Sequence, residues 1–392
     1  MQFSLSEIFY LQSKTIGKII YCNIVRHFSF RRLAFTLFFL SLHLLLMLIL
    51  SIGRLLDKIL FPAYRDNEIK APLFIISNPR SGTTLLHRLL SMDKNKYSST
   101  LLYHTIFPCV TYIKAISALA AVDNKIGRPF QRVLDKIENM VFGGWKNIHP
   151  MGFKRSEEDE TLFVYAGLSP AVFLLSPWIR EFEFLHFFDR APEKEKARFK
   201  DFYISSLKRI HYATNPDRKL LVKNVFSTGR LHFILDCFPD AEIIYPLRHP
   251  VKAVPSLLSM FAGPWKQHSP EIKAGAQEFQ DFADLAIAYY RYFFNEKNNI
   301  KQNRIYVLRY KDLVKSPEKS IRNIYEHFGF SGTPTFWLTL EKECQKSKNY
   351  KSKHKYDTGE FGISREYINK QLADIIQNYW PEKNKVKELV EK

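Results

Sequence analysis

Between residues 70 and 330 the chain alternates short apolar runs with longer stretches in which apolar residues recur every three or four positions. The runs predict buried strands over 73–76, 220–223, 242–247 and 304–308. The longer period predicts helices over 83–91, 108–122, 128–142, 192–213, 228–237, 250–261, 272–298 and 317–329. Ser156-Glu157-Glu158-Asp159-Glu160 reads as a further helix start, with acids in the first turn where they complement the dipole. Strands that alternate with helices form a parallel sheet covered on both faces, so the fold class is α/β. Ligands of such sheets sit at the C-terminal strand ends. Arg80, Lys223, Arg248 and Tyr310 all fall there.

The N-terminus has a different pattern. From Leu33 to Gly53 no residue is charged apart from a possible His43. That length suits a single membrane span. An apolar helix packed on the domain is the alternative; a cleaved signal peptide fits poorly, because the run starts late and lacks a small-residue exit. Orientation is awkward for a span. Lys14, Lys18, Arg26, Arg31 and Arg32 would hold the preceding side in the cytoplasm and send the rest of the chain across. Residues 5–30 are themselves amphipathic, which favours a segment lying in the interface with both ends cytoplasmic. Residues 1–65 are therefore expected to form a membrane-associating segment, and residues 66–392 one domain on the cytoplasmic side. No Gly/Ser linker or composition break divides the latter.

Charge narrows the partners. Lys and Arg number 58 against 39 Asp and Glu, a net charge of +19, which suggests an anionic ligand, an anionic membrane face or nucleic acid. No nucleic-acid recognition motif accompanies it, so nucleic acid is not expected. Cys22, Cys109, Cys237 and Cys344 are far apart, which argues against a disulfide framework and a zinc site. With no His-x-x-x-His pair, and no carboxylate cluster with a second ligand, no metal is implied.

The chemistry begins at Leu73-Phe74-Ile75-Ile76-Ser77-Asn78-Pro79-Arg80-Ser81-Gly82-Thr83-Thr84. A buried strand runs into a tight polar turn and then a helix. Gly82 lets the backbone approach a ligand, and Thr83 and Thr84 place hydroxyls at the first helical turn. The free N–H groups there, backed by the helix dipole, suit a phosphate-like anion. Arg80 adds a fixed charge with several donors. The nucleoside-triphosphatase loop would need Gly at position 77 and Lys at 83; Ser77 and Thr83 stand there instead, which argues against a kinase.

Two further segments complete a pattern. A second strand ends in Arg248-His249-Pro250, with Ser256 in the helix that follows, and a third ends in Arg309-Tyr310-Lys311-Asp312-Leu313. In this order and at these distances, the three segments resemble the sulfotransferases that use 3′-phosphoadenosine-5′-phosphosulfate, most closely their bacterial branch. The stretch 223–230, the Phe238-Pro239-Asp240 turn and Pro317-Glu318-Lys319 are similar to that family as well. The resemblance runs from about residue 70 to about 370. It implies a P-loop-like sulfotransferase fold, with Arg80, Ser81, Gly82, Thr83 and Thr84 at the donor's 5′-phosphosulfate. Arg248 and Ser256 would hold its 3′-phosphate, and Tyr310 would lie near the adenine. Lys223 would neutralise the leaving oxygen. Lys353, with His354 and Lys355, would close over the nucleotide, although the animal-type closing motif is absent. Since every donor motif lies beyond residue 70, residues 1–65 are expected to be dispensable for donor binding.

A base must also take the acceptor's proton. Many animal cytosolic members carry a His two residues after the lysine, but Val225 stands there. Other members draw a base from the segment after the first helix, which makes His104 the first expectation, on the ground that imidazole titrates near neutrality. Glu158 and Asp159 follow, then His149. The acceptor is expected to be a small-molecule hydroxyl, of lipid or sterol type. The aromatic insert-like segments 173–188 and 261–265 would suit an apolar pocket. A glycan acceptor, and a non-catalytic nucleotide- or lipid-binding protein with a degenerate site, stay open.

Overall fold

The computed structural model describes residues 5–142, 158–347 and 358–381. Five strands, β1 Leu73–Ile76, β2 Tyr97–Ser99, β3 Lys219–Asn224, β4 Glu242–Leu247 and β5 Ile305–Arg309, form one sheet in the order β2-β3-β1-β4-β5. Every neighbouring pair is parallel. β1 is central, with Phe74 level with Val222 of β3 on one side and with Ile243 of β4 on the other. The chain leaves β1 toward one side and later returns to the other, so the switch point that binds ligands in such sheets lies at the end of β1.

The continuous apolar runs are explained by coverage on both faces. Phe74, Ile76, Val222, Ile243 and Tyr245 pack into one layer, and Leu73, Ile75, Leu221, Ile244 and Leu308 into the other. Before the sheet come α1 Leu5–Ile20, a π-helical turn Tyr21–Arg26 and α2 Phe30–Leu60. Next are α3 Thr83–Leu90, α4 Leu102–Ile106, α5 Val110–Lys125, α6 Pro129–Phe142, α7 Glu160–Tyr165, α8 Glu193–Thr214 and α9 Leu231–Cys237. The chain continues through α10 Pro250–His268, α11 Gln277–Glu296, α12 Tyr310–Lys315, α13 Pro317–His327 and α14 Pro334–Ser347.

Several boundaries differ from expectation for identifiable reasons. α10 runs past residue 261 to His268, through Pro255 and Pro264. Burial of Phe261 and Trp265, and the bond from Trp265 Nε1 to the Phe173 carbonyl at 2.6 Å, outweigh the local cost of proline. Residues 170–190 form short 3₁₀ turns that sink Phe173, Phe182 and Phe188 into the core. These aromatics, with Phe261 and Trp265, are core residues and not the wall of an acceptor pocket.

Residues 5–65 are not an appendage. Ile8, Leu11, Ile19, Met47 and Leu50 belong to the same core as Phe74 and Ile76. The expectation that donor binding survives removal of residues 1–65 did not take this packing into account.

Candidate functional site

The turn after β1 is held from several sides. Ser77 Oγ donates to the Pro246 carbonyl at 2.6 Å, Asn78 Nδ2 donates to the Ala286 carbonyl at 3.0 Å, and the Tyr245 hydroxyl donates to Asn78 Oδ1 at 3.1 Å. Arg80 and Gly82 both have left-handed backbone, with φ of 68° and 86°. Arg80 holds that conformation at a cost of about 1–3 kcal/mol. Gly82 is required twice over, because an added Cβ would lie 2.6 Å from the Tyr310 ring. The backbone thus fits closely against Tyr310 and leaves a cradle at the N-terminus of α3.

Charged groups from other elements converge on this cradle. Arg80 Nε donates to Ser256 Oγ of α10 at 3.0 Å, and Arg248 Nη1 donates to the Arg80 carbonyl at 2.7 Å. The Arg248 guanidinium stands 5.0 Å from the centre of the Tyr310 ring. The Tyr290 hydroxyl, donating to the Arg248 carbonyl at 2.8 Å, steadies the end of β4. Lys223, fully buried at the end of β3, points its ammonium at Thr84 Oγ1, 3.3 Å away. Ser81 and Thr83 are buried within the same turn. The structure therefore brings Arg80, Ser81, Gly82, Thr83, Thr84, Lys223, Arg248, Ser256 and Tyr310 together at the C-terminal strand ends. Three cations around one turn favour a polyanionic ligand.

A buried polar network stands beside Lys223. The Asp159 N–H donates to the Lys223 carbonyl at 3.3 Å. Asn224 Nδ2 donates to Asp159 Oδ1 at 2.6 Å and to Glu160 Oε2 at 2.7 Å. Glu160 accepts both arms of Arg230, at 2.6 and 2.9 Å, and the Ser169 hydroxyl at 2.5 Å. The Tyr203 hydroxyl donates to Asp159 Oδ2 at 2.5 Å. Burial pushes the Asp159 carboxyl up to about 6. Asp159 is thus a buried anchor with its oxygens occupied, and the expectation of a base role does not fit it. The anchor holds the preceding residue, the half-buried Glu158, next to the strand end that carries Lys223. Asn224, Glu160 and Arg230 were not singled out from the sequence as site residues. Their signal was a pair of opposite charges set in apolar surroundings.

His104 is placed differently from expectation. It is buried in α4, and burial lowers its imidazole to about 4, away from neutrality. The Leu101 N–H donates to its Nδ1 at 3.1 Å. The neutral ring therefore carries its proton on Nε2 and has no acceptor nitrogen to offer. His104 caps its own helix start and is poorly suited to be a base. His149, Lys353, His354 and Lys355 lie outside the described residues. Among the described residues no group of three His, Cys, Asp or Glu is placed to hold a metal ion, and the four cysteines are buried free thiols.

Fold and site together define an α/β protein with three cations gathered at a strand–turn–helix junction on a parallel sheet. The model of the sulfotransferase family matches residues 72–334, and the chain belongs to that family. It is 23% identical over 317 residues to the omega-hydroxy-beta-dihydromenaquinone-9 sulfotransferase Stf3 of Mycobacterium bovis and to that of Mycobacterium tuberculosis, covering 79% of this chain and 74% of each relative. The crystal structure of sulfotransferase STF1 from Mycobacterium tuberculosis superposes with a TM-score of 0.74 at 18% identity, over 95% of this chain and 94% of that one. STF9 from Mycobacterium avium gives 0.72 at 17%, over 97% and 98%. These two structures share the fold.

Proposed function

We propose that this protein transfers the sulfuryl group of 3′-phosphoadenosine-5′-phosphosulfate to a hydroxyl of an apolar, lipid-like small molecule, at a membrane surface on the cytoplasmic side. The observation that carries the reading is the meeting of Lys223 and Thr84 beside the Arg80–Arg248–Ser256 cluster. The residues fit the donor. The turn at Gly82 opens α3, whose first amides suit a phosphosulfate, Arg248 and Ser256, both bonded to Arg80, suit a second phosphate, and Tyr310 packs beside Gly82 and Arg248 as a neighbour suited to the adenine. Transfer breaks the bond from sulfur to the bridging oxygen as the acceptor oxygen attacks in line. Lys223 stabilises the charge that grows on the leaving oxygen, and Arg80 with the turn amides holds the transferring group. Glu158 takes the acceptor's proton, since among the described residues of the segment beside Lys223 it is the carboxylate that is partly exposed.

The lipid acceptor is supported by the mycobacterial relatives, whose name gives a hydroxylated menaquinone as their substrate. It is also supported by the long apolar helix at the N-terminus. The test is to incubate the full chain with sulfur-labelled donor and a total lipid extract without added metal. A labelled lipid supports the proposal. Label found only on added saccharides would move the acceptor to the glycan class. Donor binding without transfer to either would leave a binding protein.

A further inference from the structure

α2 lies along the domain, and its inward stripe combines core residues Met47 and Leu50 with bonded polar groups near its start, middle and end. Near its start Arg32 donates to Ser269 Oγ at 3.1 Å and pairs with Glu271, and Thr36 Oγ1 accepts from Asn23 Nδ2 at 2.9 Å. Midway, His43 shares a hydrogen bond with Gln12 at 2.6 Å. Near its end Arg54 donates to Ser206 Oγ at 3.0 Å. There Asp57 accepts the Val110 and Thr111 N–H groups at 2.9 and 2.8 Å and pairs with buried Arg209 at 3.0 Å. A helix drawn out to cross a bilayer would strand these groups. Its length, roughly 45 Å, also exceeds the roughly 30 Å of hydrocarbon.

The opposite stripe of α2 is apolar and open. Phe38, Leu45, Leu48, Ile52, Leu55 and Ile59 recur at helical spacing, and each is about half exposed or more. α5 crosses α2 closely at Gly53, where an added Cβ would strike Tyr112 and Cys109, and the Tyr112 hydroxyl donates to the Ile49 carbonyl at 2.9 Å. Beyond that crossing α5 and α6 form a hairpin. Its turn is tied by Asp123, whose carboxylate accepts the Phe130 and Gln131 N–H groups at 2.8 and 3.0 Å. Leu119, Val122, Ile126, Phe130 and Val133 are all more than half exposed. Lys125, Arg128 and Arg132 are exposed among them, and Arg31 and Lys58 are exposed at the two ends of α2.

We infer that α2 and the α5–α6 hairpin together seat the protein in one leaflet of an anionic bilayer, with α2 lying in the interface and not crossing it. The occupant follows from charge complementarity: an uncharged apolar stripe with cations at its ends and around the hairpin matches acyl chains beneath anionic headgroups. The inference rests on the membrane association proposed above and adds the contact face and the orientation. Both ends of α2 then stay on the side of the catalytic domain, which removes the conflict posed by the N-terminal basic residues.

The test uses the full chain and vesicles of phosphatidylcholine, alone or mixed with phosphatidylglycerol. The protein floats with the mixed vesicles, and Leu48→Glu and Phe130→Glu each lower the bound fraction about tenfold or more. Unchanged melting temperature and nucleotide binding would show that both variants are folded. In a second arm, Phe30→Cys and Leu60→Cys are treated outside sealed vesicles with an impermeant maleimide, the native cysteines being buried. Both positions react if α2 lies in the plane. Reaction at only one end means a span, and overturns this inference while membrane association stands. Failure of the unaltered protein to float overturns both. If the glutamate variants float normally but dissociate a dimer, the face belongs to a second copy of the chain.

Discussion

The Lys223 ammonium stands 3.3 Å from the Thr84 hydroxyl, so the end of β3 and the first turn of α3 meet at one point. A buried cation at that point acts most strongly when the bridging oxygen becomes an anion. Lys223→Ala should lower turnover about a hundredfold or more while the affinity for the donor's bisphosphate product changes only a few-fold. Single-turnover kinetics and calorimetry separate the two. Lost affinity with normal turnover at saturation would reduce Lys223 to a binding group.

Arg248 and Ser256 both reach Arg80, one at its carbonyl and the other at its side chain. Arg248→Ala should weaken product-nucleotide binding by about 1.5–3 kcal/mol, the usual contribution of a charge-assisted contact. Ser256→Ala and Arg80→Ala should be non-additive, because the hydroxyl positions the guanidinium. A double-mutant cycle by calorimetry checks this, and strict additivity would mean that the two act separately.

Four of the five strands were legible because sheets covered on both faces leave continuous apolar runs. β2 was not: it is an edge strand of three residues, Tyr97–Ser99, without such a run. α12 escaped notice because it starts at Tyr310, directly after β5. The anion turn could be read from local spacing alone, since its parts are adjacent in the chain. The network beside it could not. Asn224 lies 64 residues from Glu160, and Arg230 lies 70 from it, so only the fold brings the three together. His104 shows the complementary failure. The residue type was visible, but the burial that lowers its imidazole is a property of the packed structure.

Asp57 tests how firmly α2 belongs to the core. It is fully buried against Arg209, which is 2% exposed. Asp57→Ala leaves that guanidinium uncompensated and should cost about 3–5 kcal/mol in denaturant unfolding. Deleting residues 1–65 should accordingly unfold the chain instead of merely releasing it from membranes. A loss under about 1 kcal/mol for Asp57→Ala would mean that the helix is held loosely.

The lowered imidazole of His104 makes an acid-stability prediction. A histidine near 6.5 when unfolded and about 4 when folded favours the folded state above pH 6.5. That contribution is lost as pH falls from 6.5 through 4, up to about 3 kcal/mol in total. His104→Asn keeps an acceptor for the Leu101 N–H but does not titrate. Its melting temperature should therefore fall less steeply on acidification than that of the unaltered protein. Parallel slopes from pH 7 to 4.5 would show that His104 is not the source.

The last prediction concerns the proton acceptor. His104 has its Nδ1 engaged by the Leu101 N–H, and Asp159 has its carboxylate engaged by Tyr203 and Asn224. Among the described residues, Glu158 is the partly exposed carboxylate on the segment that Asp159 ties to the Lys223 carbonyl. Glu158→Gln should therefore cost about 10²–10⁴ in the rate of transfer, the range for loss of a general base, with donor affinity unchanged. His104→Asn should retain activity within about tenfold. Asp159→Asn should act on stability first, through the Tyr203 and Asn224 contacts. The deciding measurement is single-turnover transfer at saturating donor for the three variants, each first shown to be folded by its melting temperature. Full activity in Glu158→Gln together with a collapse in His104→Asn would return the base to the imidazole, despite its occupied nitrogen.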